Sequence, residues 1–242
     1  GKLEGCYHQN KDPLAPVALI LHPDLKYGGS MNNKVINELY KLYIDNGFSV
    51  LKFNFRGVGK SEGKFTSSEE ELLDATVALD WLHQKNMEAK SFWVTGFSFG
   101  AWIDLQLVMR RPEIEEYILI SPPLKKKDFG FIVPSFSYGS IFYGEEDDQV
   151  TTEEVKNIAE KLSKNTDSVV ERIEILEADH FFKTGLEELK EKLDEYIKKR
   201  LIDSLGKIKK IKRDRRRRRK KKIALDDEKI IYQNPIKPLD LD

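Results

Sequence analysis

Short apolar runs alternate with amphipathic stretches along most of the chain. The apolar runs are typical of buried strands and cover residues 17–22, 48–55, 91–95, 117–121, 140–143 and 171–176. The stretches in which apolar positions recur at helical spacing cover residues 32–46, 68–85, the segment after Gly100 to about residue 110, 152–164 and 185–202. Because strands that alternate with helices usually pair in parallel, the pattern predicts an α/β domain: a doubly wound, mostly parallel sheet with helices on both faces.

The segments outside this alternation predict less regular structure. Residues 1–16 carry a weaker pattern, which allows one or two edge strands. Residues 122–138 are irregular and too short for a lid domain, so we expect no large lid over the sheet. Ser67 followed by Glu70 has the spacing of a capping box, which predicts that the second helix begins beside this pair.

Charge divides the chain into two parts. Residues 1–203 hold 26 Lys and Arg against 35 Asp and Glu, whereas residues 204–225 hold 13 basic residues and one acid. The composition therefore predicts a folded domain over 1–203 and a basic, disordered tail over 204–242. The run 207–222 lacks interleaved aromatic residues, so we expect any contact with nucleic acid or another anionic surface to be non-specific. A solvated tail and a tail folded back on the acidic domain are the alternatives.

Little in the composition points to cofactors, metals or membranes. Cys6 is the single cysteine, which excludes an intrachain disulfide, and the four histidines are scattered. We therefore expect no metal site and no cofactor. The chain contains neither a signal-peptide pattern nor an apolar run of about 18 residues, which predicts a cytoplasmic protein without a transmembrane segment.

The strongest chemical signal is Gly96-Phe97-Ser98-Phe99-Gly100, which lies between a predicted strand and a predicted helix. This context is typical of a nucleophile elbow, a tight turn that presents a serine hydroxyl at the carboxyl edge of the sheet. Glycine is expected on both sides because a side chain there would collide with neighbouring backbone. Ser98 is the predicted nucleophile, and an ordinary glycine-rich turn is the alternative.

A serine hydroxyl needs a base, and the base needs a carboxylate to orient it. His180 follows the last predicted strand, where loops gather at the carboxyl edge, and it is the predicted base. The acid lies in the run 145–148 after the fifth strand; Asp147 is the first choice and Asp148 the reserve. The chain order Ser98, Asp147, His180 matches the order expected of a triad built on such an elbow, and differs from the orders in chymotrypsin and subtilisin. A surface histidine and a solvated acidic loop are the alternatives.

The tetrahedral intermediate requires backbone donors for its oxyanion. We expect one donor to be the N–H of Phe99, and the other to be the N–H of Asp24 or Leu25 in the loop after the first long strand. His22, at the start of that loop, is interpreted as a structural hydrogen-bonding residue rather than a second base.

Several blocks of sequence together resemble the α/β-hydrolase superfamily over residues 1–203. The likeness is closest to a small capless group of cytosolic bacterial serine hydrolases, typified in alphaproteobacteria. The blocks are 22–34 (HPDLKYGGSMNNK), 53–61, 96–102, 110–113 and 179–182. The group carries His-Pro-His-Pro at the start of the first block, whereas this chain has Asp24-Leu25 in place of the second His-Pro. The resemblance implies a capless α/β hydrolase with a Ser-Asp-His triad. Because of the departure at Asp24-Leu25, the shape and charge of the oxyanion loop do not carry over from the group.

These observations predict a serine hydrolase that cleaves a small ester or related acyl substrate through an acyl-enzyme on Ser98. The aromatic residues in segments expected near the site favour a short acyl chain or an apolar leaving group; they are Phe97, Phe99, Trp102, Phe129, Phe131, Phe136, Phe181 and Phe182. Two alternatives stay open: a serine exopeptidase on small peptides, with Glu145 or Glu146 as the amine anchor, and a non-catalytic scaffold tethered by its basic tail.

Overall fold

The computed structural model describes residues 1–164 and 166–204. The strands are β1 Gly5–His8, β2 Val17–Leu21, β3 Ser49–Phe53, β4 Phe92–Phe97, β5 Ile114–Ile120, β6 Tyr138–Gly144 and β7 Val170–Ile175. The helices are α1 Lys34–Asp45, α2 Glu70–Lys85, α3 Phe99–Val108, α4 Thr152–Ser163 and a last helix, α5, over residues 186–204. A short 3-10 turn, Leu25–Tyr27, follows β2.

The strands form one seven-stranded sheet in the order β1-β3-β2-β4-β5-β6-β7. Only β1, at the edge, is antiparallel to its neighbour; the other five pairings are parallel. The predicted α/β class, with a mostly parallel sheet and helices on both faces, is confirmed. Within the described ranges no inserted lid domain interrupts the alternation of strands and helices.

The strand order places the carboxyl ends of β2 and β4 side by side. The chain runs from β2 outward to β3 and then returns to β4 on the other side of β2. Ligands of open α/β sheets bind in the crevice where the strand order reverses in this way. Leu21 pairs with Gly96 at this point, so the loop after β2 and the turn after β4 meet.

Packing explains why these segments become central strands. Every residue of β2, β3 and β4 is buried, as expected for a sheet that helices cover on both faces. Helix α3 is also buried along its whole length. Helices α1 and α4 instead bury one apolar stripe each, and their buried residues are Val35, Ile36, Leu39 and Tyr43 in α1 and Val155, Ile158, Ala159 and Leu162 in α4.

The predicted capping box at the start of α2 is wrong. The helix begins at Glu70 and its N-cap residue, Glu69, makes no side-chain cap; the N–H of Glu70 instead donates to the hydroxyl of Ser68 at 3.4 Å, not to that of Ser67. The buried carboxylate of Glu71 instead accepts the N–H groups of Thr66 and Ser68, at 2.8 and 2.9 Å. These bonds fix a turn that forces Ser67 into a left-handed conformation, with φ of 55°. The hydroxyl of Ser67 bonds to the carboxylate of Asp24 and does not cap the helix.

The chain divides into two units, Gly1–Asp194 and Glu195–Asp242. The sheet and every predicted site residue belong to the first unit; in the second, residues 195–204 are helical. The predicted basic tail, with its run 207–222, lies outside the described residues, and its boundary near residue 203 stays a prediction. None of the described helices is both long and apolar enough to cross a membrane.

Candidate active site

The turn between β4 and α3 is a strained elbow that carries Ser98. The backbone of Ser98 has φ of 51° and ψ of −115°, a conformation that residues with a side chain rarely adopt. A Cβ on Gly96 would lie 2.2 Å from the carbonyl oxygen of Gly100, and a Cβ on Gly100 would lie 2.2 Å from that of Leu21. The two glycines are therefore required for α3 to pack this close to β4 and β2.

The structure brings the predicted nucleophile, base and acid together in one chain of hydrogen bonds. The Oγ of Ser98 lies 2.8 Å from Nε2 of His180, and Nδ1 of His180 lies 2.9 Å from both carboxylate oxygens of Asp147. With Nδ1–H donating to the carboxylate, Nε2 is free to accept the serine proton, which is the tautomer that general-base chemistry requires. Only 5% of Ser98 is exposed, so access to it is narrow.

The loops after β6 and β7 are tied together, which holds the acid and the base in register. The N–H of Glu146 donates to the carbonyl of Ala178 at 3.0 Å, and the N–H of Glu177 donates to the carboxylate of Glu145 at 3.0 Å. A Cβ on Gly144 would meet the Ala178 carbonyl oxygen at 2.1 Å. Glycine at the end of β6 is thus needed for the two loops to meet.

Of the two candidate acids, only Asp147 contacts the imidazole. Asp147 is buried and also accepts the N–H of Gln149 at 2.8 Å, a local bond that orients its carboxylate inward. Asp148 is exposed, and its carbonyl accepts Nζ of Lys125 at 3.0 Å. Burial therefore distinguishes the two adjacent acids, which are alternatives in the sequence analysis.

The predicted oxyanion donors lie in the loop after β2 and at the start of α3. Asp24 caps the 3-10 turn: its carboxylate accepts the N–H of Lys26 at 2.8 Å. Among the described residues, the N–H groups of Asp24, Leu25 and Phe99 have no hydrogen-bond acceptor. Uncommitted N–H groups at a helix start are suited to binding negative charge.

His22 has a structural role, as the sequence analysis indicated. Its Nδ1–H donates to the carbonyl of Pro23 at 2.7 Å, and its Nε2 accepts the N–H of Phe55 at 3.0 Å. Both ring nitrogens are therefore used to join the loop after β2 to the end of β3. Burial lowers the pKa of His22 from 6.5 to about 4, which keeps the ring neutral.

The aromatic residues expected near the site divide into core and rim. The core members, Phe97, Phe99, Trp102 and Phe182, are buried. Phe181 forms part of the rim, with its ring 5.0 Å from that of His180 and 5.8 Å from that of Tyr27 in the 3-10 turn. Phe136 is 85% exposed. This apolar rim next to the base favours an apolar group on the substrate.

A cavity of about 1010 Å³ lies elsewhere, between β1, β3 and α2. Its lining includes Leu51, Phe53 and Trp81, and it contains none of the three hydrogen-bonded residues of the elbow site. No nucleophile and base meet there. The hydrogen-bonded nucleophile and base of the described residues therefore lie at the elbow and not in this cavity.

Two residues beside the elbow were missed by the sequence analysis. Ser67 bonds to the carboxylate of Asp24, and Lys127 bonds to Ser67. Ser67 was interpreted as a helix cap, and Lys127 lies in a segment without a pattern. The sequence carries no signal that would join positions so far apart along the chain.

Comparison with known proteins agrees with this geometry. Residues 5–204 match the model of a family described as X-Pro dipeptidyl-peptidase (S15 family). An uncharacterized protein of Rickettsia prowazekii is 46% identical over 201 residues, which cover 81% of this chain and 84% of that protein.

Solved structures of α/β hydrolases are also similar to this chain. A protein of unknown function from Agrobacterium tumefaciens, described as an α/β hydrolase, superposes with a TM-score of 0.81 at 41% identity, over 84% of this chain and 93% of the other. An α/β serine hydrolase homologue from Coxiella burnetii has a TM-score of 0.71 at 32% identity, over 80% and 91%. An α/β serine hydrolase without a lid, from Xanthomonas campestris, has a TM-score of 0.71 at 27% identity, over 81% and 88%.

Proposed function

Because the chain belongs to the S15 family and to the α/β hydrolases, we propose that it is a serine hydrolase that cleaves small carboxylic esters through an acyl-enzyme on Ser98. The observation that carries the proposal is the hydrogen-bonded chain from Ser98 Oγ through His180 to Asp147. The three groups sit on a strained elbow and two tied loops, so their geometry is set before substrate binds.

In the proposed reaction, Ser98 Oγ attacks the ester carbonyl carbon while its proton passes to Nε2 of His180. Asp147 stabilises the resulting imidazolium, and the N–H of Phe99 with that of Asp24 or Leu25 binds the oxyanion. The tetrahedral intermediate collapses as Nε2 returns the proton to the departing alcohol. A water molecule then attacks the acyl-enzyme by the same steps and releases the acid and free Ser98.

Two features of the site, the access to Ser98 and the aromatic rim, support the proposed substrate class. Because Ser98 is 5% exposed, a short acyl group fits the entrance better than a long one. The rings of Tyr27 and Phe181 offer apolar contact to the alcohol or acyl portion. Neither observation calls for a charged substrate group.

The peptidase alternative has less support, although the family description names a dipeptidyl-peptidase. An exopeptidase needs a carboxylate that is free to bind the amine of its substrate. Glu145 already accepts the Glu177 N–H, and Asp24 already binds Ser67 and the N–H of Lys26. Glu146 is exposed, and a solvated carboxylate binds an amine weakly.

A panel of chromogenic substrates separates these functions. We expect p-nitrophenyl acetate and butyrate to be hydrolysed, with a lower kcat/KM for longer acyl chains, and we expect Ser98→Ala to abolish turnover. A larger kcat/KM for Gly-Pro-p-nitroanilide than for the esters would instead establish the exopeptidase. No turnover and no burst of p-nitrophenol with any substrate would favour the scaffold.

A further inference from the structure

A polar bridge joins three loops beside the elbow. The hydroxyl of Ser67 donates to the carboxylate of Asp24 at 2.5 Å, and Nζ of Lys127 donates to the carbonyl and the hydroxyl of Ser67 at 2.5 and 3.2 Å. Residues 24, 67 and 127 lie after β2, before α2 and after β5 respectively. The bridge therefore connects the loop that carries the Asp24 and Leu25 N–H groups to two other segments.

The far end of the bridge reaches the other predicted oxyanion donor. Nζ of Lys127 lies 5.1 Å from the ring centroid of Phe99 and 4.6 Å from that of Trp102. An ammonium group at this distance is attracted to the faces of aromatic rings. Lys127 thus contacts the side chain of the residue after the nucleophile while it holds Ser67. The bridge spans the two elements whose N–H groups would bind one oxyanion.

The conformation of Ser67 fits such a role. Its φ of 55° costs energy for a residue with a Cβ, and the buried carboxylate of Glu71 maintains it through the N–H groups on either side. Backbone strain that the surroundings enforce is concentrated at functional sites. A glycine would adopt this conformation without strain. What serine adds is a hydroxyl placed between Asp24 and Lys127.

We propose that Ser67, together with the Asp24 carboxylate and Lys127, positions the loop after β2 so that its N–H lies at the correct separation from the N–H of Phe99. These are positioning residues, because they act on the oxyanion through the backbone of the loop. The inference rests on the proposed hydrolase function and adds to it the residues that set the oxyanion site.

Three variants break the bridge in different ways. Ser67→Gly removes the hydroxyl and relieves the strain, so we expect an equal or higher Tm. Asp24→Asn keeps an oxygen to cap the 3-10 turn, but it removes the negative charge and replaces the oxygen that accepts from Ser67 with an NH2 group, which can only donate. Lys127→Met keeps the packing on Trp102 without the ammonium. The matched control is Ser68→Ala, since the hydroxyl of Ser68 bonds only within its own turn.

The first readout is p-nitrophenyl acetate hydrolysis, with Tm measured on the same samples. We expect kcat to fall about ten- to a hundred-fold in the three bridge variants with KM within about two-fold, because the loop donor acts on the transition state. Ser68→Ala should keep the wild-type kcat. A Ser67→Gly protein with wild-type kcat would overturn the inference, as would variants whose kcat falls only where Tm falls.

The second readout is hydrogen exchange of the amides of residues 24–29, followed by mass spectrometry on the full chain. We expect faster exchange in the three bridge variants and no change in Ser68→Ala. Wild-type exchange in all of them overturns the inference. If the wild-type protein neither hydrolyses esters nor reacts with a phosphonate, the proposed function fails, and exchange alone still decides whether the bridge holds the loop.

Discussion

Nδ1 of His180 lies 2.9 Å from both carboxylate oxygens of Asp147, and each side chain is at least 94% withdrawn from solvent. Removal of the negative charge should leave the imidazole in the wrong tautomer, since an amide at this position can donate to Nδ1. We therefore expect Asp147→Asn to lower kcat for p-nitrophenyl acetate by about a thousand- to ten-thousand-fold. Steady-state kinetics on folded protein checks this.

Asp148→Asn is the matched control for that variant, because it makes the same chemical change one residue away. Its side chain is exposed, so we expect activity within about two-fold of wild type. Equal losses in the two variants would mean that the whole acidic run, and not one carboxylate, supports the base.

The adjacent acids Asp147 and Asp148 also show how much of the site can be predicted from the sequence. The order of nucleophile, acid and base follows from the strand pattern, because loops after parallel strands meet at one edge of the sheet. Which of two adjacent acids faces inward depends on the turn after Gly144, where the N–H of Asp147 donates to the Gly144 carbonyl at 3.2 Å. A run of four acids carries no periodicity that reveals such a turn.

The buried His22 should make stability depend on pH. The folded state keeps the ring neutral down to about pH 4, whereas the unfolded chain protonates it near 6.5. The stabilisation is complete above pH 6.5 and is lost as the pH falls towards 4. We expect this group to contribute about 2–3 kcal/mol to the loss of unfolding free energy between pH 7.5 and 4.5.

Urea unfolding of wild type and His22→Asn at the two pH values measures that contribution. The variant should be less stable at pH 7.5, since two buried hydrogen bonds are altered, but it should lose about 2–3 kcal/mol less on acidification. Parallel loss in the two proteins would contradict the structural role of the neutral ring.

Asp104, on the buried helix α3, should have the opposite effect on the pH dependence of stability: it should destabilise the folded state as the pH rises. Neither of its carboxylate oxygens makes a hydrogen bond of good geometry within the described residues, and burial raises its pKa well above the usual value although the nearby backbone of Gly96 partly offsets this. The folded state therefore holds a proton that the unfolded chain releases, and stability falls as the pH rises above about 4. We expect Asp104→Asn to be more stable than wild type at pH 8 by roughly 1 kcal/mol or more, with a smaller gain at pH 5. Unfolding curves with the same pH dependence in both proteins would refute this.

The start of α2 marks the limit of local sequence rules. The spacing of Ser67 and Glu70 predicts a capping box, but the helix uses Glu71 to fold the preceding turn, and the serine hydroxyl is taken by Asp24. The local pattern misleads here because a partner 43 residues away competes for the hydroxyl. The strands, by contrast, are predicted well because burial on both faces leaves long apolar runs.

Any contact of the basic run 207–222 with an anionic surface is expected to lack sequence preference, and a solvated tail is the alternative. A full-length variant with residues 215–219 changed from arginine to serine should elute from heparin at lower salt than wild type. The control changes the three acids at 226–228 to serine and should not weaken retention. Equal retention of the arginine variant and the wild type would show that the folded domain, or no part of the chain, binds the polyanion.

Intact-mass spectrometry after reaction with a fluorophosphonate, followed by peptide mapping, tests whether Ser98 is the nucleophile. We predict one adduct per chain, located on Ser98, and no adduct on Ser98→Ala. Its formation should slow by orders of magnitude in His180→Ala, because the serine proton then has no acceptor. A folded wild-type protein that stays unmodified, or one that is modified at another residue, would contradict the assignment of this serine as the nucleophile.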